Sequence, residues 1–122
     1  MMNRSTRVSR TTAANVEQGS IQLAVSTGGK SPALARTLKE DLQKFVGPEY
    51  AEINDVLGTL RPSAKKVLPT DTDRKRFFDG IIARGVVDML RRGKRREAYE
   101  TIAKACAEAG VEPSESLRAA LR

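Results

Sequence analysis

Ile21–Arg36, IQLAVSTGGKSPALAR, reads as a strand, a glycine loop and the first turns of a helix. Ile21, Leu23 and Val25 alternate with Gln22, Ala24 and Ser26, the two-residue period of a short strand with at least one buried face. Gly28 and Gly29 then permit backbone angles closed to other residues and let another molecule approach the main chain. Ser31 followed by Pro32 predicts a helix start. A serine oxygen accepts from a free N–H of the first turn, and proline at the first helical position has no N–H to leave unpaired. A helix N-terminus carries about half a positive charge, so with Lys30 beside it the loop suits a phosphate or a carboxylate. The same strand, turn and capped helix also serve in many α/β proteins as a plain connection. A nucleotide-binding P-loop does not fit: Gly29-Lys30-Ser31 matches its end, but Ala24 stands where the first glycine belongs and Pro32 follows at once.

Outward from this stretch, the composition bounds the rest. The 122 residues have room for one modest domain. Aromatics are 4% of the chain with no Trp, so the core is expected to be aliphatic and helical. The formal charge is +7, which attracts anionic partners: nucleic acid, anionic lipid or a polycarboxylate. The absence of histidine removes Ser-His and Cys-His catalysis, histidine metal sites and the usual pH switch. Cys106 is the single cysteine, so no internal disulfide forms and a reducing compartment is expected. No apolar run approaches the roughly 20 residues that cross a bilayer, and a soluble cytoplasmic protein is the expectation.

Met1 to Arg10 holds Arg4, Arg7 and Arg10 among polar residues and reads as a mobile basic arm, with a targeting peptide as the alternative. Thr12 to Gln18 is a helical or extended lead-in broken by Gly19. From Ser31 a helix runs to about Val46 with Leu34, Leu38, Leu42 and Phe45 on one buried face. After Gly47-Pro48 a second helix aligns Ile53, Val56, Leu57 and Leu60, and Pro62 is expected to kink or break it near Arg61 before Pro69 stops it. Asp71, Thr72 and Asp73 are alternative caps for a third helix, whose Phe77, Phe78, Ile81 and Ile82 share an apolar side. Gly85 and Gly93 bracket a short helix, and Arg95 to Ala109 forms a longer one with Tyr99, Ile102, Cys106 and Ala109 on a face. Two basic clusters, Arg74-Lys75-Arg76 beside the phenylalanines and Arg91 to Arg96 around Gly93, would suit a nucleic-acid backbone or form ordinary solvated surfaces.

STGGKSPALAR with its amphipathic helix resembles the region just after the dinucleotide-binding domain of the siroheme synthase family. These are precorrin-2 dehydrogenases, some of which are also sirohydrochlorin ferrochelatases. Thr11 to Ser20 resembles the family's lead-in, and LRPSAKKVLPTDTDRKRFFDGII, Leu60 to Ile82, resembles its later helices. The resemblance implies a mainly α fold: a short N-terminal strand and glycine loop, then helices, with the Rossmann domain absent, because no G-x-G-x-x-G unit occurs. It implies residues 1–19 as a basic arm and lead-in, 20–70 as a strand-loop-helix dimerisation region and 71–122 as a C-terminal helical region. It implies a homodimer whose Thr27, Gly28, Gly29, Lys30 and Ser31 face a tetrapyrrole substrate, precorrin-2 or sirohydrochlorin. NAD would be held by a separate domain. The family's essential aspartate lies upstream of the strand, where this chain has no acid before Thr11. No catalytic, cofactor-binding or metal-ligating residue is therefore assigned, and activity of this chain alone is not expected. The alternative is a small basic nucleic-acid-binding protein.

Overall fold

The computed structural model describes residues 14–122, so the basic arm and the start of the lead-in lie outside the described residues. Two strands come first, β1 (Ala14–Gln18) and β2 (Ile21–Val25). They pair antiparallel, with Val16 opposite Leu23 and Gln18 opposite Ile21. The described part of the lead-in, Ala14–Gln18, is thus extended and forms half of a hairpin. Gly19 and Ser20 make its two-residue turn, with Gly19 at φ 57° and its α-carbon so close to Ala51 that an added Cβ would lie 2.8 Å from the alanine methyl. A Gly-Ser pair between two apolar-alternating runs is a hairpin signature.

Six helices follow among the described residues: α1 (Pro32–Phe45), α2 (Pro48–Val67), α3 (Asp71–Ala83), α4 (Val86–Arg91), α5 (Arg95–Ala109) and α6 (Glu115–Leu121). The fold is mainly helical with one two-stranded sheet, and a parallel βαβ unit is absent among the described residues. The chain divides into two compact units, the first ending at Ala51 and the second running from Glu52 to Arg122.

In the first unit α1 lies against the hairpin, burying Val16 and Ala35, and the Gln18 side-chain amide donates to the Val46 carbonyl at 3.0 Å. Of the stripe expected to be buried on α1, Leu42 is half-buried and the other three residues are turned outward. Leu34 is 52%, Leu38 40% and Phe45 60% exposed, while Ala35 carries the contact with the hairpin. Small side chains let a helix approach a sheet closely, and the hairpin is too narrow to cover the leucines as well.

The second unit builds its core from Ile53, Val56, Leu60 and Ala64 of α2, Ile81 of α3, Val86 of α4, Tyr99, Ile102 and Cys106 of α5, and Leu117 of α6. The α2 helix does not break at Pro62 but runs through it to Val67. A mid-helix proline costs about 3 kcal/mol. Leu60 and Ala64, on either side of it, are fully buried, and burying a leucine side chain alone contributes about 1.5–3 kcal/mol. The α3 cap is Thr70, whose hydroxyl accepts from the Asp73 amide at 3.0 Å, and Asp71 and Asp73 sit inside the first turn. Phe77 and Phe78 pack edge to face, 4.9 Å between centroids, against the core, whereas Ile82 turns outward at 51% exposed.

Candidate functional site

Between β2 and α1 the chain makes the loop Thr27 to Ser31. Gly28 and Gly29 both take left-handed backbone angles, φ 69° and 81°, which side-chain-bearing residues rarely adopt. Gly28, Gly29 and Lys30 are exposed, so the loop opens to solvent. Its amides, however, are less bare than the sequence suggests. The Ser26 hydroxyl accepts from Gly28 N–H at 3.2 Å, the Thr27 carbonyl from Lys30 N–H at 3.3 Å, and Thr27 Oγ1 from Ser31 N–H at 3.2 Å. Thr27 also donates to the Ser31 carbonyl at 3.2 Å, so this threonine staples the loop to the helix start. Ser31 is the cap, its Oγ accepting from Leu34 N–H at 3.1 Å. Among the described residues, the N–H groups of Gly29 and Ala33 are left without a bonding partner.

The electrostatics of the helix start are distinctive. Every other helix among the described residues carries an acid in its first turn, Glu49, Asp71 and Asp73, Asp88, Glu97 or Glu115, and α1 carries none. Acids there offset the positive end of the helix dipole. At α1 the charge stays uncompensated, and Lys30, with no ion-pair partner among the described residues, adds to it. The arrangement can hold an anion. It cannot activate a nucleophile, because no base stands beside Ser31 and its oxygen is engaged in the cap.

The basic clusters fare differently. Arg92 pairs with Asp88 at 2.9 Å, Arg95 with Glu52, and Arg96 with Glu100 at 3.2 Å and with the Leu121 carbonyl at 3.1 Å. Arg91 also has a partner. Arg74 pairs with Asp71 at 2.5 Å and Lys75 with Asp79 at 2.6 Å. Most of these cations are paired with acids or carbonyls of the second unit.

One polar cluster has no counterpart in the sequence reading. The Tyr99 hydroxyl donates to the Glu52 carboxylate, which also pairs with Arg95, and the Arg95 guanidinium lies 5.1 Å from the centre of the Tyr99 ring. Burial first, then the hydrogen bond and charge of Glu52, push the Tyr99 phenol up to about 12. Arg95 and Tyr99 are four apart on one helix and legible as neighbours, but Glu52 arrives from α2 with no local signal. Cys106 is fully buried and its thiol is pushed up by desolvation, the condition of an inert structural cysteine. No cluster of three or more metal-ligating side chains occurs among the described residues, and no helix there is long and apolar enough to cross a membrane. The Rossmann dinucleotide site is built on a parallel strand-helix-strand unit, whereas the sheet among the described residues is an antiparallel hairpin.

Comparison with known proteins gives consistent matches. Residues 18–44 match the family model described as the sirohaem biosynthesis protein central region, and residues 49–105 match the sirohaem synthase dimerisation region. The chain is 32% identical over 90 residues to a siroheme synthase of Thioalkalivibrio sulfidiphilus, covering 74% of this chain and 18% of that protein. It is 34% identical over 83 residues to one of Actinobacillus succinogenes, covering 68% of this chain and 17% of the relative. With one of Xylella fastidiosa it shares 28% identity over 102 residues, 84% of this chain and 21% of the relative. The chain thus spans about a fifth or less of the length of these curated relatives. No solved structure matches it.

Proposed function

Because the chain belongs to the siroheme synthase family, carrying its central and dimerisation regions, we propose that it is the dimer-forming and substrate-holding portion of a siroheme-biosynthesis enzyme. In this reading Thr27 to Ser31 lines the wall against which a tetrapyrrole lies, precorrin-2 or sirohydrochlorin. The single observation that carries it is the start of α1: an exposed glycine loop with Lys30, two unbonded amides and no acid in the first turn. These macrocycles carry eight carboxylates, and an uncompensated helix N-terminus on a cationic wall is the complement they require. Gly29, Lys30 and the Ala33 amide meet the carboxylates, and Thr27 and Ser31 hold the loop rather than the ligand.

The chain supplies no redox centre in this proposal. NAD, bound by a domain elsewhere, accepts the hydride in the oxidation of precorrin-2, and iron insertion, where it occurs, also draws on residues outside this chain. Pairing of two copies uses the dimerisation region together with the outward leucines of α1, since large exposed apolar side chains arranged in a row mark association surfaces.

Absorbance titration of sirohydrochlorin tests the substrate reading. Saturable binding is expected, weakened about tenfold by Lys30→Glu. A titration without saturable change, or one that Lys30→Glu leaves untouched, would overturn it.

A further inference from the structure

The second unit carries a groove of about 420 Å³ between one face of α2 and one face of α3, within the usual size range of small-molecule sites. Leu57, Gly58 and Phe78 give it an apolar lining, and Arg61, Arg74 and Lys75 a cationic one. Gly58 is informative because it sits in the middle of α2, where glycine weakens a helix relative to alanine. Among the described residues, α2's own backbone aside, nothing lies within 4 Å of where its Cβ would be. No tertiary contact among them therefore requires a glycine at this position, and a side chain there would extend into the groove that Gly58 lines.

The three cations are not equally held. Arg61, one turn beyond Gly58, has no hydrogen-bond or ion-pair partner among the described residues. Lys75 is tied to Asp79, but both side chains are largely exposed, at 77% and 59%. Arg74 is anchored by the Leu68 carbonyl at 2.8 Å, while its acid, Asp71, is 99% exposed. Exposed ion pairs contribute little to stability, so an incoming anion exchanges for these acids at small cost. Asp71 and Asp79 also line the groove and disfavour a highly charged ligand.

We propose that this groove binds a small organic monoanion, a carboxylate on a flat apolar body, with the carboxylate on Arg61 and the flat body over Gly58 against Leu57 and Phe78. This site goes beyond the role assigned to the glycine loop and does not depend on it. The test is a titration of the isotopically labelled chain with 1-naphthoate, followed by backbone amide resonances and compared with uncharged 1-naphthalenemethanol. Saturable shifts are expected at Gly58, Arg61 and Phe78. Arg61→Gln should weaken binding about tenfold, as loss of a charged hydrogen bond does, and the alcohol should bind at least fivefold more weakly than the acid. Gly58→Leu, whose Cβ meets no described neighbour within 4 Å and which favours the helix, should abolish binding while circular dichroism shows the fold intact. Shifts confined to residues outside the groove, equal binding of acid and alcohol, or unchanged affinity in both variants would overturn the proposal.

Discussion

Helices α1 and α5 carry nearly the same message in sequence and meet opposite fates in the structure. Each repeats apolar residues at three- and four-residue spacing, Leu34, Leu38 and Leu42 in one, Tyr99, Ile102 and Cys106 in the other. In α5 the stripe is the centre of a core, with Ile102 and Cys106 fully buried in a cluster that also draws on α2, α3, α4 and α6. In α1 the contact with the hairpin runs through Ala35, and Leu34 and Leu38 face outward. Periodicity reports that a helix has an apolar face; it does not report whether the same chain has the means to cover it. The first unit has a single two-stranded hairpin to offer, and the second has a whole helical cluster.

That contrast predicts very different responses to mutation. The largest is expected in the covered stripe: Ile102→Ala should cost about 2–5 kcal/mol in chemical denaturation, against roughly 0.5 kcal/mol or less for Leu34→Ala in the monomeric chain. Equal losses would erase the distinction. Next comes alkaline pH. The Tyr99 phenol is raised in the folded chain to about 12 from an ordinary value of 10.0. The folded state therefore keeps its proton where the unfolded chain has lost it. The associated stability is complete below pH 10 and lost as pH rises toward 12, on the order of 2 kcal/mol. The loss should vanish in Tyr99→Phe and should be felt in the second unit, not at α1. The smallest effect is at the other helix: Ser31→Ala removes the cap on Leu34 N–H and should cost about 1 kcal/mol, read as faster amide exchange in the first turn of α1 with α5 unchanged.

The sequence made the helix boundaries legible where local chemistry sets them: Ser31-Pro32 at the start of α1, Gly110 at the end of α5, Gly85 and Gly93 around α4. The break that Pro62 allowed does not occur, because local rules count the lost hydrogen bond and not the burial of Leu60 and Ala64 on either side. The sequence left the first strand undecided although Gly19-Ser20 carried the turn signal. At the loop, the glycines and the serine cap were readable, but the use of Thr27 as a staple and the consumption of several amides by the loop's own oxygens depend on geometry in three dimensions. The Glu52 to Tyr99 bond joins residues distant in the chain, which no local pattern encodes.

Sedimentation velocity of the chain and of the Leu34→Lys/Leu38→Lys double variant tests most directly whether the outward stripe of α1 is covered by a second copy. The account predicts a dimer for the unsubstituted chain and a monomer of unchanged helical content for the variant. An unsubstituted chain that sediments as a monomer, or a variant that remains a dimer, would contradict it.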